Sequence, residues 1–124
     1  MTVHEPARHP SDLVRFVVSR INAGDLDGLV ALYEPDAILA SDDGNFLVGH
    51  DAIRAFYRTL LSANPQFAPG LEAPPLINGA IALTSSTLAD GTITAEIARQ
   101  QADGSWLWII DQPAIVRLQS RSNA

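Results

Sequence analysis

Two carboxylates in the last third of the chain have the type and spacing to do chemistry. In "TITAEIARQQADGSWLWIIDQ", Glu96 and Asp111 flank Asp103-Gly104, and Asp-Gly between alternating runs marks a β-hairpin closed by a two-residue loop. Counting outward from such a loop pairs Gln101 with Trp106, Arg99 with Trp108 and Ile97 with Ile110. The intervening positions pair Gln100 with Leu107, Ala98 with Ile109 and Glu96 with Asp111. A second signal of the same kind, Asp90-Gly91, adds a strand that sets Ser85 opposite Glu96. One face then collects Leu83, Ser85, Glu96, Ala98, Leu107, Ile109 and Asp111, because side chains alternate along a strand.

Two carboxylates opposed on an apolar wall cannot both ionise cheaply, so repulsion and desolvation raise at least one pKa. The product is a poised acid and base: an ionised carboxylate removes a proton while its neutral neighbour hydrogen-bonds a developing oxyanion. The competing possibility is that both lie at a wet sheet end or pair separately with arginines. On the opposite face fall Arg99, Trp106, Trp108 and Ile110. Two tryptophans at i, i+2 beside an arginine fit a subunit contact, with a cation–π interaction as an option.

Elements must hold this wall. Leu13, Phe16, Val17 and Ile21 fall at helical spacing between Ser11, a candidate N-cap, and Gly24, a candidate stop. Asp25 then caps a short second helix with Leu26, Leu29, Val30 and Tyr33 inward, ended by Pro35. "DAILAS" and "NFLVG" read as short strands around Asp42-Asp43-Gly44. Ile53, Phe56, Tyr57, Leu60 and Leu61 mark a third amphipathic helix. Beyond the Pro-rich loop "NPQFAPGLEAPP" the pattern turns extended, in "PLINGAIALTSSTL" and the two strands already described. Helices followed by antiparallel strands make an α+β domain with helices on one face of a bent sheet.

Composition sets the outer limits. A length of 124 residues suits one domain with its own core. We expect a flexible N-terminal tail over 1–10, a domain over 11–117 and a C-terminal tail over 118–124. The chain has no cysteine and a net charge of -6. Thiol chemistry is excluded, nucleic-acid binding is disfavoured, and a cytoplasmic location is expected. Neither a signal peptide nor a membrane span is legible. No H-E-x-x-H, phosphate-binding glycine loop or Gly-x-Ser-x-Gly elbow occurs, so neither metal nor organic cofactor is expected. His50 reads as a capping or surface residue.

"NAGDLDGLVALYEPDAILASDDGNFLVGHDAIRAFY", followed by long antiparallel strands, resembles the nuclear transport factor 2-like superfamily, in particular its SnoaL-like and ketosteroid isomerase-like branches. That resemblance implies a cone-shaped, cystatin-like fold, in which three N-terminal helices pack on a curved, mostly antiparallel sheet enclosing an apolar pocket. It also implies a homodimer through the sheet's outer face, where Trp106, Trp108 and Arg99 are expected. A ketosteroid isomerase needs an aspartate base and an oxyanion hole of a tyrosine and a neutral aspartic acid. The resemblance puts the tyrosine position at Val17, the base position at Ser41 and the second acid at Ala98, so steroid isomerisation is not expected. The resemblance places Tyr57, Tyr33 and Ala98 at the pocket, and Asp42, one position past the lost base, at its rim, although Asp-Asp-Gly is first of all a turn. The expectation is an acid–base site of Asp111 and Glu96, with Tyr57, Tyr33, Ser85, Asp42, Ala98 and Ile109 around a small apolar substrate. The rival is a non-catalytic binding pocket or a dimeric scaffold.

Overall fold

The computed structural model describes residues 4–41 and 43–116. Asp42 and the expected C-terminal tail lie outside the described residues. Helix α1 (Pro10–Asn22) buries Leu13 and Ile21, as its periodicity requires. Its cap is His9 rather than Ser11: the imidazole accepts from the Ser11 amide, while Asp12 reaches back to the cap backbone and Pro10 takes the first turn. Asp25 caps α2 (Leu26–Val30) by accepting from the Gly28 amide.

Tyr33 belongs to no helix. It opens β1 (Tyr33–Ala40), whose pairing shifts between Tyr33 and Ile38, around Pro35. A proline lacks the amide for a regular ladder, and it is accommodated inside an irregular strand instead of ending a helix. Strand β2 (Phe46–Val48) and α3 (His50–Leu61) follow, α3 burying Ile53 and Tyr57.

The remaining strands are β3 (Leu71–Glu72), β4 (Leu76–Asn78), β5 (Ile81–Thr84), β6 (Ser86–Thr87), β7 (Ile93–Gln100) and β8 (Trp106–Val116). The stretch "PLINGAIALTSSTL" is therefore broken by a hairpin whose turn is Gly79-Ala80. The sheet path is β2-β1-β8-β7-β5-β4, with β3 and β6 beside it; β1 and β8 run parallel and every other pair is antiparallel. This is the expected α+β, cystatin-like architecture, a curved mixed sheet that does not close. From His4 onward the segment expected as a tail is tied to the fold: Ala7 is buried and bridges Trp106, and His4 contacts Asp25 at 3.0 Å.

The hairpin loops differ from expectation in one respect that decides the faces. Gln101 N donates to Ser105 O at 2.7 Å and Gly104 N to Gln101 O at 2.9 Å, so the loop is three residues long. Leu88 and Thr92 enclose Asp90-Gly91 in the same way. In each, the aspartate accepts the amide two residues on and the glycine takes φ +88, where a Cβ would be strained. Asp-Gly serves this bulged turn as well as the two-residue one. The pairing near Asp103-Gly104 is accordingly Gln100 with Trp106, Arg99 with Leu107 and Ala98 with Trp108. A bulge at Ile109 then restores Ile97 with Ile110 and Glu96 with Asp111.

The tryptophans consequently lie inside. Trp106 and Trp108 join Leu13, Leu29, Leu39, Ile53 and Tyr57 in the core between helices and sheet, which rules them out as an outer-face contact. Arg99 is exposed and grips Glu34 through two hydrogen bonds, at 2.9 and 3.1 Å. Among the described residues no helix is long and apolar enough to cross a membrane.

Candidate functional site

Four strands bring four side chains into one row on the helix-facing side of the sheet. The row runs Leu39 on β1, Asp111 on β8, Glu96 on β7 and Thr84 on β5. The next row is Tyr33, Trp108, Ala98 and Ala82. Glu96 and Asp111 are 6% and 7% exposed, so two carboxyls face each other out of water.

Each has its own donors. Tyr33 donates to Asp111 Oδ2 at 2.5 Å, and the Tyr57 hydroxyl lies 2.6 Å from the Tyr33 hydroxyl. Because the Tyr33 proton points to Asp111, Tyr57 must donate to Tyr33, giving a chain of two hydroxyls that ends on the carboxyl. Thr84 donates to Glu96 Oε1 at 2.5 Å, and Trp108 Nε1 donates to Thr84 Oγ1 at 3.3 Å. Thr84 thereby fills the place expected for Ser85, whose hydroxyl instead donates to the Thr94 carbonyl.

The electrostatics follow from this burial. Desolvation, then the Glu96 charge, pushes Asp111 up to about 7, against the Tyr33 hydrogen bond. Burial also raises Glu96, the Glu72 charge adding to it and hydrogen bonds from Thr84 and Thr94 opposing it. Burial beside Asp111 drives Tyr33 and Tyr57 far above the ordinary phenol range, so both remain neutral donors. Glu72 Oε2 is buried without a hydrogen-bond partner among the described residues.

Glu96 and Trp108 line a cavity of about 80 Å³, together with Val14, Val17 and Val18 of α1 and Leu88. A larger cavity, about 130 Å³, lies under the segment from His4 to Ala7 and touches neither carboxyl. The structure thus brings Glu96, Asp111, Tyr33 and Tyr57 together. It does not bring Ser85 to Glu96. Ala98 is packed in the core between Trp108 and Ala82, and Ile109 is the bulged residue, half-buried and lining neither cavity. Asp42 is outside the described residues.

Sequence reasoning missed Thr84 and His50. The first follows from recognising the three-residue loops; the second, whose Nε2 donates to the Tyr33 carbonyl at 2.8 Å, carries no local signal.

The profile of the SnoaL-like domain matches residues 13–118. No curated protein matches the sequence with significance. Among solved structures, a chain from Thiobacillus denitrificans described as a calcium/calmodulin-dependent protein kinase type II association domain superposes with TM-score 0.71 at 15% identity, covering 90% of this chain and 98% of that one. A ketosteroid isomerase-like protein from Erwinia carotovora atroseptica gives 0.65 at 18% identity, covering 86% and 94%. A SnoaL-like protein of unknown function from Burkholderia thailandensis gives 0.59 at 17%, covering 82% and 90%. At these identities the likeness is one of fold.

Proposed function

Since the chain belongs to the SnoaL-like domain family, a fold that hosts many activities, we propose that it is a cofactor-independent acid–base enzyme in which Glu96 and Asp111 act on a small apolar carbonyl or cyclic substrate. The observation that carries this is the buried Glu96–Asp111 pair, with Glu96 at a cavity and Asp111 raised to about 7. Glu96 meets the substrate. One ionised carboxyl of the pair takes a proton next to a carbonyl, and the neutral one stabilises the oxyanion that results. Tyr33 and Tyr57 set how readily Asp111 gives up its proton. The lost tyrosine and base positions, Val17 and Ser41, argue against steroid isomerisation.

A cavity of about 80 Å³ is small beside the several hundred Å³ typical of ligand pockets. The substrate has only a few heavy atoms, or α1 moves to admit a larger one. A carboxyl NMR titration tests the pair. One group titrating near neutrality, or two coupled steps, supports the proposal; both titrating near the ordinary carboxyl value of about 4 overturns it.

The second reading, a dimeric scaffold or non-catalytic binder, is favoured by the outer sheet face. Val48, Ile38, Ile110, Ile97, Leu83 and Leu76 are successive cross-strand neighbours on six strands. Among them Val48 is 59% exposed and Leu76 68%. Continuous apolar surface of that kind is normally covered, and we propose that a second copy of the chain covers it, in place of the tryptophan contact. A cytoplasmic location suits a chain without cysteine.

A further inference from the structure

His50 and Tyr57 are seven residues apart on α3, two turns of helix, so they share one face. Both reach the same residue on another element. His50 Nε2 lies 2.8 Å from the Tyr33 backbone carbonyl, and Tyr57 Oη lies 2.6 Å from Tyr33 Oη. Tyr33 in turn is the residue that donates to Asp111.

It needs the help. Tyr33 opens β1 at a point where pairing with β8 shifts before Ile38, so regular ladder bonds do not carry on from it. The ring itself is buried against Trp108 and Tyr57, so what lacks a continuous ladder is the backbone on the Ile38 side. A hydroxyl hydrogen bond also weakens steeply once distance or angle drifts. The carbonyl of Tyr33 is held from the helix side by a donor that belongs to neither strand.

We propose that His50 is a positioning residue for the acid site: by donating from Nε2 to the Tyr33 carbonyl it anchors β1 to α3 and holds the Tyr33 hydroxyl on Asp111. The tether goes beyond the cap or surface role expected of a histidine at a helix start. Its bearing on chemistry rests on the acid-pair reading above. The groups that face Asp111 are the Tyr33 hydroxyl and the carboxyl of Glu96, with the Tyr57 hydroxyl one bond further along the chain. His50 acts on Asp111 only through Tyr33.

The test is the Asp111 titration midpoint, read by carboxyl NMR in the full chain. His50→Ala loosens the donor that favours the ionised form, so the midpoint should rise by about half a unit to one unit. His50→Gln, which keeps an N–H donor, should restore it. In a Tyr33→Phe background the donor is already gone and His50→Ala should add nothing. A midpoint unmoved by His50→Ala, or moved equally in both backgrounds, overturns the tether. Should the alanine variant fail to fold, the wild-type imidazole decides: nitrogen NMR should find Nε2 protonated, and an Nε2 without its proton overturns the proposal. A wild-type Asp111 titrating near 4 instead strikes the acid-pair reading, while the variant differences and the tautomer still judge the tether.

Discussion

The two faces of the sheet differ by one residue in each strand and invert the usual rule. Leu39, Asp111, Glu96 and Thr84 form the buried row; their chain neighbours Ile38, Ile110, Ile97 and Leu83 form the outer one. Three of the four buried residues are polar, two of them acids, while three of the four outer aliphatics are about 40% exposed. Stability alone would exchange these rows, because burying a carboxyl is costly and exposing aliphatic surface forgoes its burial. Two adjacent rows that break the rule are what the two proposed uses would require: chemistry or binding on the inside, a covered contact on the outside.

The outer row offers the largest expected effect. Ile110→Asp together with Leu83→Asp sets two charges in the middle of the proposed contact. The variant should be wholly monomeric by light scattering at concentrations where the wild type is dimeric, with the fold intact by circular dichroism. A wild type that is monomeric throughout, or a variant that stays dimeric, removes the outer face from the explanation and leaves its exposed aliphatics unaccounted for.

Trp108 tests the interior assignment. It is 2% exposed, stacks at a tilt on Tyr33 with centroids 5.6 Å apart, and lines the cavity beside Glu96. Trp108→Ala should destabilise the fold by about 3–5 kcal/mol in urea unfolding. A tryptophan on an outer contact would instead alter the dimer and leave monomer stability nearly unchanged.

The acid row should leave its signature in the pH dependence of stability. Asp111 rises from the ordinary carboxyl value of 3.8 to about 7 on folding, so between those values the folded state binds more protons than the unfolded state. Stability therefore falls as pH climbs through that window and is lowest above it. The shift corresponds to a loss of up to about 4 kcal/mol between pH 4 and pH 8. Asp111→Asn cannot ionise and should make that slope shallower, the raised Glu96 keeping the remainder, with a gain of stability at pH 8 and loss of any turnover. A wild-type profile flat across the window would mean that the carboxyl is not held in a buried, repelled state.

Much of this was legible in the residues, and the exceptions have physical causes. Periodic aliphatics identify α1 and α3, Asp25 caps α2, and Asp-Gly marks the hairpins. The opposition of Glu96 and Asp111 was reached because two one-residue errors cancel: the loop holds three residues instead of two, and the bulge at Ile109 takes the extra one back. Between loop and bulge nothing cancels. There Trp106 and Trp108 change faces, and Ile109 loses its place on the expected wall. Tyr33 was misassigned because Pro35 signals a helix stop and an irregular strand equally well.

The smallest prediction separates the expected register from the observed one. Were Ser85 opposite Glu96, its hydroxyl would be the carboxyl's donor; in the structure Thr84 holds that position and Ser85 bonds the Thr94 carbonyl. Thr84→Val keeps the shape but removes both the donor to Glu96 and the acceptor of Trp108 Nε1, costing about 1–3 kcal/mol of stability. It should also raise the Glu96 titration midpoint, because the hydrogen bond opposes the effect of burial. Ser85→Ala should cost no more than its own hydrogen bond and leave the Glu96 midpoint where it was. If the two substitutions exchanged these effects, β5 would be paired one residue out of register, and Thr84 rather than Leu83 would lie outside the row that carries the acids.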